Sequence, residues 1–228
     1  MAEQVELLNA ETHRHLRMQP GVADPHPHFV MIVLSEFPIA AASCPIFFAK
    51  DSETGEFYAA ALFGFQPGEL LVEATPQDGP AFRPLELQRQ GFFAADENIA
   101  VDPDHPRFGS GATIALFDDD GTPSNALRKV QQTIGELMRG VEETRDFIQT
   151  LLGLRLIEPI DISLRFDNGE HLSLAGLYTV SRDNLGELAD ADVVRLFRSG
   201  FLQAALCASG SLSQIPVLAR RRNARLTA

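Results

Sequence analysis

The sequence contains little of three residue types that often carry chemistry. Among 228 residues there are two cysteines, no tryptophan and only two lysines, Lys50 and Lys129. The cysteines, Cys44 and Cys207, form no C-x-x-C pair. One bridge between them is possible in principle. Two buried free thiols in a reducing cytoplasm are the expectation, because a free cysteine behaves as a small hydrophobic residue.

The sequence also lacks a long hydrophobic run. Its most apolar stretches, residues 29–34 and 39–49, are bounded or interrupted by prolines. Both are too short to cross a bilayer, which requires about 20 apolar residues. The first residues include acids and no apolar segment of the kind found in a secretory signal. These absences predict a cytoplasmic protein without a membrane span.

Acidic residues are missing from the end of a chain that is otherwise strongly acidic. The 31 acidic and 19 basic residues give a net charge of −12, which repels phosphate backbones and argues against nucleic-acid binding. A basic tail is predicted over residues 220–228. It is either solvated or in contact with an anionic surface. Residues 193–228 contain no acid and six arginines: Arg195, Arg198, Arg220, Arg221, Arg222 and Arg225.

The remaining composition indicates a globular α+β protein. Hydrophobic residues make up 45% and charged residues 22% of the chain, which is ordinary for a folded domain. No repeat or linker divides it, so a single domain is expected over residues 1–228, with an irregular N-terminal arm over residues 1–28. Mixed, mostly antiparallel strands and hairpins are expected to pack against a long helix and a C-terminal helix.

Two hairpins are predicted. Residues 45–49 and 57–65 are apolar runs on either side of a polar, glycine-containing loop. Residues 161–166 and 171–180 are strand-like runs on either side of Asn168-Gly169. The Asn-Gly pair favours a type I′ turn, in which both central residues adopt positive φ.

The long helix is predicted from a 3-4-3-4 spacing of apolar residues. Thr122 can cap its start and Gly153 can end it, whereas Gly135 and Gly140 each weaken it by about 1 kcal/mol relative to alanine. The stripe is either a core-packing face or a self-association seam. Its members are Leu127, Val130, Ile134, Leu137, Val141, Thr144, Ile148 and Leu151.

A second helix is predicted to begin near residues 190–192, where acids precede an apolar segment. Its apolar side chains are expected to be buried. They are Val193, Val194, Leu196, Phe197, Phe201, Leu202 and Leu206.

Candidate ligand-binding residues are few. Two H-x-H pairs, His13/His15 and His26/His28, can each offer two imidazoles to one metal if the backbone is extended. The spacing fixes no third ligand, so we expect an ordered polar arm rather than a metal site. Glu36 beside Phe37 is a candidate acid–base residue, because an aromatic surface raises the pKa of a carboxyl, but an exposed glutamate at the end of a strand is the favoured alternative.

Catalytic and cofactor motifs are incomplete. Residues 118–121 resemble a calcium loop, but the EF-hand register places leucines at two ligand positions. Residues 108–111 match neither a nucleophile elbow nor a dinucleotide-binding fingerprint. No catalytic residue and no cofactor are therefore predicted.

The order of several short segments resembles the bacterial SapC-like family across nearly the whole chain. The segments are 13–17 (HRHLR), 34–38 (LSEFP), 40–42 (AAA), 44–48 (CPIFF), 51–54, the ALFGF strand, 82–84 (FRP), 99–102 (IAVD), 116–121 (LFDDDG), 176–178 (GLY) and 214–215 (QI). None of them is catalytic in character.

The resemblance implies a non-enzymatic accessory or binding protein. The company of the family's genes suggests halogenase-like flavoproteins as partners, and the family name suggests a surface-layer component. Self-association is a further possibility. The alternative hypothesis, based on residues rather than on resemblance, is a metal- or small-molecule-dependent enzyme that uses the N-terminal histidine pairs.

Overall fold

The computed structural model describes residues 5–20, 27–72 and 82–226. It confirms the α+β class with mostly antiparallel strands. The elements in chain order are β1 (Glu6–Leu7), α1 (Ala10–His13), β2 (Arg17–Met18), β3 (Phe29–Met31), α2 (Phe37–Ala40), β4 (Ile46–Lys50), β5 (Phe57–Leu62), α3 (Leu85–Gln88), β6 (Phe92–Ala95), β7 (Asn98–Val101), β8 (Ile114–Ala115), α4 (Asn125–Gly153), β9 (Ile157–Arg165), β10 (His171–Val180), α5 (Arg182–Gly186), α6 (Asp190–Arg198), α7 (Phe201–Ser211) and α8 (Ile215–Leu226).

The chain divides into two compact units. The first comprises Met1–His26 and Arg83–Arg139, and the second comprises Pro27–Phe82 and Gly140–Ala228. Helix α4 contributes residues 125–139 to the first unit and residues 140–153 to the second.

The first unit contains two small antiparallel sheets. One has the strand order β1-β7-β6 and the other pairs β2 with β8. The predicted irregular arm is therefore wrong for residues 5–20, because β1 and β2 find partners far along the chain that propensity alone does not reveal. The buried cluster of this unit consists of Met18, Phe92, Val101, Leu116, Phe117, Leu127, Val130 and Ile134.

The second unit contains a five-stranded antiparallel sheet in the order β3-β5-β4-β10-β9. Both predicted hairpins are confirmed, as β4–β5 and β9–β10. The turn type of the second is wrong. Gly169 has a φ of +87°, but Asn168 is not among the residues with positive φ.

Hydrogen bonds across the β9–β10 turn explain this difference. The Gly169 N–H donates to the Phe166 carbonyl (2.9 Å) and the Phe166 N–H donates to the Glu170 carbonyl (2.9 Å). This five-residue pattern is a type I turn followed by a bulge, which requires positive φ only at its last turn residue. Asn168 instead accepts the Glu170 N–H through its side-chain oxygen (2.9 Å).

Helix α4 has the predicted length, but a different residue caps it. The Leu127 N–H donates to the Ser124 hydroxyl oxygen (3.2 Å), and the Ser124 hydroxyl donates to the Ala115 carbonyl (2.7 Å). Thr122 instead donates its hydroxyl to Asp120 (2.7 Å). Every member of the apolar stripe is buried except Val141, which is half-buried. The stripe is therefore a core-packing face.

Helix α6 begins at Asp190 as predicted, and Leu196 is fully buried. The predicted burial of three other residues is wrong: Val194 is 46% exposed, Phe197 is 73% exposed and Leu206 is 54% exposed. Alanines form the buried side of α7, which places Leu206 outside. Buried and exposed side chains thus lie on different faces of α6 and α7, although each helix has apolar residues on both faces.

The predicted basic tail is also wrong for residues 220–226, which continue helix α8. Arg222 is only 5% exposed. Its Nη2 donates to both carboxylate oxygens of Glu170 at 3.0 Å, and its guanidinium lies 4.4 Å from the ring centroid of Phe166. The Arg221 guanidinium donates to the carbonyls of two residues, Leu71 (3.1 Å) and Val72 (2.7 Å). Two arginines thus fasten α8 to the unit.

One helical run in the described residues, Phe201–Leu226, is long and apolar enough by composition to cross a membrane. The buried share of its most apolar window is 28%. Core helices of soluble proteins pass the same test of length and composition, so this finding alone is weak evidence for a span.

Candidate functional site

The first histidine pair does not present two imidazoles on one face. His13 ends helix α1 and is 5% exposed, whereas His15 lies in the following turn and is exposed. The His13 Nδ1 lies 3.2 Å from both the backbone nitrogen and the carbonyl of Asn9. Its Nε2 lies 3.4 Å from a Glu6 carboxylate oxygen. The extended backbone assumed for the pair is replaced here by a helical turn.

The second histidine pair is described only in part, since His26 lies outside the described residues. His28 is half-buried in the second unit, and its carbonyl accepts the Phe63 N–H at 2.7 Å. Burial lowers the pKa of His28, and the Glu69 carboxylate opposes this shift. Among the described residues, no group of three or more histidine, cysteine, aspartate or glutamate side chains is arranged to hold a metal ion.

Glu36 has a structural partner. It is 7% exposed and its Oε2 accepts the Val33 N–H at 2.9 Å, which closes the 3-10 turn Leu34–Glu36. This contact fixes the chain between β3 and α2. Its role as an acid–base residue stays a prediction.

The most ligand-like feature of the second unit is a cleft between strands β3 and β5 and the second half of α4. It encloses about 310 Å³, close to the lower end of small-ligand sites. Its apolar lining comprises Met31, Ile32, Val33, Phe57, Ala59, Val141 and Ile148. Its polar lining comprises Asp51, Thr54, Glu56, Tyr58, Thr144 and Arg145.

Small side chains make room for the cleft. Strand β5 carries three consecutive buried alanines at residues 59–61, and Ala59 lies in the cleft wall. Alanine is depleted in strands because it leaves the pleated surface poorly covered. Val141 completes the opposite wall. It is the one half-buried member of the helix stripe because it faces this space.

A close helix contact fixes the spacing of the two walls. Gly140 is buried, and a Cβ atom built on it would lie 2.6 Å from a Val33 methyl carbon. One turn later, the Thr144 hydroxyl donates to the Gly140 carbonyl (2.6 Å) and accepts the Leu34 N–H (2.8 Å). Thr144 is therefore occupied as a structural clamp, and it shapes the cleft rather than binding a ligand.

The polar rim comes mainly from the β4–β5 loop. The Asp51 carboxylate accepts the Thr54 N–H (2.8 Å), the Thr54 hydroxyl (2.9 Å) and the Glu53 N–H (3.0 Å), and these bonds lower the pKa of Asp51. Glu56 and Arg145 form an ion pair of 3.9 Å between exposed side chains. Such a pair contributes little stability, so Arg145 can turn toward a ligand at small cost.

Tyr58 borders the cleft from strand β5, where its side chain projects from the opposite face of the sheet to that of the neighbouring Ala59. Partial burial, and secondarily the negative charge of Asp51, raises the pKa of Tyr58 above its usual value. A tyrosine phenol is protonated at neutral pH even at its usual pKa of about 10, so it can donate a hydrogen bond. Its ring packs edge-on against Phe29, with the centroids 6.4 Å apart.

Carboxylates, hydroxyls and one guanidinium supply the polar groups of the cleft lining. Among the described residues, its lining includes no histidine, cysteine or lysine, and the hydroxyl that contacts a carboxylate there, that of Thr54 on Asp51, belongs to the hydrogen bonds that close the β4–β5 loop. Sequence reasoning missed Tyr58, Arg145 and the role of Val141. The only sequence signal near them is the unusual run of alanines in a predicted strand.

A second cleft, in the first unit, encloses about 380 Å³ beneath the β6–β7 turn. Its polar rim includes Asp96, Glu97 and Asn98, and its lining likewise includes no histidine or cysteine among the described residues. Asp96 adopts a φ of +51°, as a tight turn requires. This rim has no cationic group to set against its carboxylates, unlike the rim of the first cleft.

Comparison with known proteins identifies the family. No curated protein and no solved structure gives a significant match to the chain. The model of one family, SapC, matches residues 8–218 and so covers nearly the whole sequence, including both units. The chain therefore belongs to the SapC family.

Proposed function

We propose that this SapC-family protein is an accessory protein that acts by binding, and that the cleft in the second unit is its binding site. The observation that carries this proposal is the lining of the cleft: an apolar wall and, at the rim, an arginine whose exposed ion pair is easily displaced. An apolar pocket with a few polar groups that set orientation is the usual form of a ligand site.

The lining defines the ligand chemistry. An apolar group of modest size fits between Val141 and Ala59. The rim carries two carboxylates and one guanidinium, so a strongly anionic ligand is disfavoured. The expected ligand is a largely apolar, neutral or weakly cationic group.

Titration with the neutral fluorescent probe N-phenyl-1-naphthylamine tests the site. Saturable binding is expected, because the probe brightens in an apolar environment. Val141→Phe, which fills the cleft, should abolish saturation. Val194→Phe is the matched control, since Val194 is exposed on α6 away from the cleft. Equal probe binding by both variants would refute the cleft as the binding site.

The partner we propose is a halogenase-like flavoprotein, and the support is the family resemblance. Light scattering on mixtures of the two purified proteins should show the summed mass of a complex. If the cleft receives a group from that partner, Val141→Phe should weaken the complex while Val194→Phe leaves it intact. A mixture that shows only the separate masses at high micromolar concentration would reject this partner.

A further inference from the structure

Strand β9 forms an open edge of the five-stranded sheet. The strand order β3-β5-β4-β10-β9 gives β9 a neighbour on one side, and among the residues that the structure describes no strand pairs with its other side. The strand is nine residues long. Edge strands in native proteins are usually short, covered or protected, because their unpaired N–H and C=O groups attract other strands. The outer edge of β9 therefore offers a long row of backbone groups for pairing.

Two hydrogen bonds at the ends of β9 show which of its backbone groups point outward. The Ser181 N–H donates to the Leu156 carbonyl (2.8 Å), and the Phe166 N–H donates to the Glu170 carbonyl (2.9 Å). Backbone groups of successive residues in a strand point alternately toward the two sides. The bulge of this hairpin lies in β10, so it does not interrupt the alternation along β9. Even-numbered residues of β9 therefore bond to β10, and odd-numbered residues direct their N–H and C=O groups to the open side.

The position of Pro159 agrees with this assignment. It is an odd-numbered residue of β9 and lies opposite Tyr178 of β10. Proline has no N–H, and within a sheet it is tolerated on an edge strand where the N–H side faces solvent. An incoming strand finds no donor at Pro159, and the turn begins after Arg165. Pairing on the open side is thus confined to residues 161–165.

The side chains of β9 alternate between apolar and polar along this segment. Those on the core side are buried or half-buried: Ile160, Ile162 and Leu164. Those on the other face are exposed: Asp161, Ser163 and Arg165. Among the described residues, neither Asp161 nor Arg165 forms an ion pair within the chain. The open edge therefore presents a carboxylate and a guanidinium on the same face of the strand.

This pattern is complementary to itself in an antiparallel register. If a second β9 pairs about a two-fold axis at Ser163, Asp161 of each copy lies opposite Arg165 of the other. Ile162 then lies opposite Leu164 on the core side, and the outward groups of residues 161, 163 and 165 form about six backbone hydrogen bonds. A shift of the axis to Ile162 removes both charge pairs, and a shift to Asp161 sets two carboxylates opposite each other.

We propose that β9 pairs with β9 of a second copy of the chain, antiparallel about Ser163, so that one sheet runs through both subunits. The two-fold axis uses the same edge of each copy, so the contact closes as a dimer and does not extend into a fibre. The cleft of the proposed function is lined from β3, the β4–β5 hairpin and α4 and includes no residue of β9. Failure of one proposal therefore leaves the other standing.

Sedimentation equilibrium of the full chain over a concentration series measures the dimer. The wild type should show a monomer–dimer equilibrium in the micromolar range, as a small interface predicts. Asp161→Arg sets like charges opposite each other at both ends of the pairing, and so does Arg165→Asp, so each should weaken dimerisation about tenfold. The matched control is Glu142→Arg, which makes the same change of charge at an exposed position of α4 and should leave the dimer intact.

An equimolar mixture of Asp161→Arg and Arg165→Asp tests the register. It should restore dimerisation, because every charge in the pairing then faces its opposite, and this rescue also shows that both variants are folded. A wild type that stays monomeric at high micromolar concentration overturns the proposal. A dimer that the single variants leave intact, that Glu142→Arg weakens equally or that mixing does not restore uses another contact, and each of these results also overturns it.

Disulfide cross-linking locates the two-fold axis. Two residues 163 in a hydrogen-bonded antiparallel pair have Cα atoms about 5.5 Å apart, which is within the range of a disulfide. Ser163→Cys should therefore form a covalent dimer under mild oxidation. Ser173→Cys is the matched control, because Ser173 is exposed on β10 and lies opposite Ser163 within the chain, one strand farther from the axis. The wild type, with Cys44 and Cys207, gives the background. Cross-linking of Ser163→Cys that is no faster than that of Ser173→Cys overturns the proposal.

Discussion

The two glycines within helix α4 should respond oppositely to alanine. From propensity alone, each substitution should stabilise the helix by about 1 kcal/mol, because glycine loses more backbone entropy than alanine on folding. The structure separates them. A Cβ on Gly135 would meet nothing closer than the Arg139 guanidinium at 3.8 Å. A Cβ on Gly140 would lie 2.6 and 2.7 Å from two carbons of Val33.

The magnitude for Gly140→Ala follows from this overlap. Carbon atoms pack at about 3.5–4.0 Å, so the helix and Val33 must separate by about 1 Å. Val33 is 1% exposed and has little room to move. Overpacking of this kind costs about 1–3 kcal/mol. Separation also stretches the Leu34–Thr144 hydrogen bond, which is worth about 1 kcal/mol. After the propensity gain, Gly140→Ala should destabilise the protein by about 1–3 kcal/mol.

Urea unfolding monitored by circular dichroism at the helix band measures both variants. Gly135→Ala should raise the midpoint and Gly140→Ala should lower it. The double variant Val33→Ala with Gly140→Ala should lose less stability than the sum of the single changes, by about 1 kcal/mol. Rescue is incomplete because the Cβ of residue 33 remains. A stabilising Gly140→Ala, equal to Gly135→Ala, would refute the close contact between the helix and Val33.

Three further predictions follow from single contacts. Gly169→Ala should destabilise the protein by about 1–2 kcal/mol in urea unfolding, because Gly169 is the residue of the β9–β10 turn that has positive φ. Asn168→Ala should destabilise it less. A larger loss of stability for Asn168→Ala would instead support a type I′ turn. Thiol labelling with dithiobis(nitrobenzoate) should modify the half-buried Cys207 before Cys44, because burial raises the pKa of Cys44 to about 11 and keeps its thiol protonated. Faster labelling of Cys44 would contradict its burial. Burial lowers the pKa of His28 from 6.5, so as the pH falls the unfolded chain binds a proton at His28 before the folded chain does. Below about pH 6.5 the wild type should therefore lose stability more steeply than His28→Gln. Parallel profiles of stability against pH would show that His28 is not buried in solution.

The cleft illustrates how far sequence reasoning extends toward a site. Periodicity places Val141 in the buried stripe of α4, but it cannot show that this residue borders an open space. Tyr58 and Asp51 belong to an ordinary hairpin in the sequence. Their influence on each other arises only when the β4–β5 loop folds over Asp51 and brings its carboxylate near the phenol.

The prediction that His13 and His15 can share one face is wrong for a related reason. Two residues i and i+2 share a face only in an extended backbone. Asn9 accepts the Thr12 N–H with its side chain (2.8 Å) and starts a helical turn that ends at His13. His13 is therefore buried, whereas His15 is exposed to solvent. An Asn followed by Ala-Glu-Thr is a capping signal that was readable in the sequence.

Elements with a local and periodic signal could be predicted from the order of the amino acids. The α4 stripe, the two hairpins, the start of α6 and the α+β class all follow from side-chain spacing, because that spacing decides which face of a helix or strand is apolar. Other features are visible only in the folded chain: the cap at Ser124, the different roles of Gly135 and Gly140, the exposure of Phe197 and the burial of Arg222. Each of these depends on a partner distant in the chain, such as Ala115, Val33 or Glu170, and a local pattern contains no information about which distant residue will arrive there.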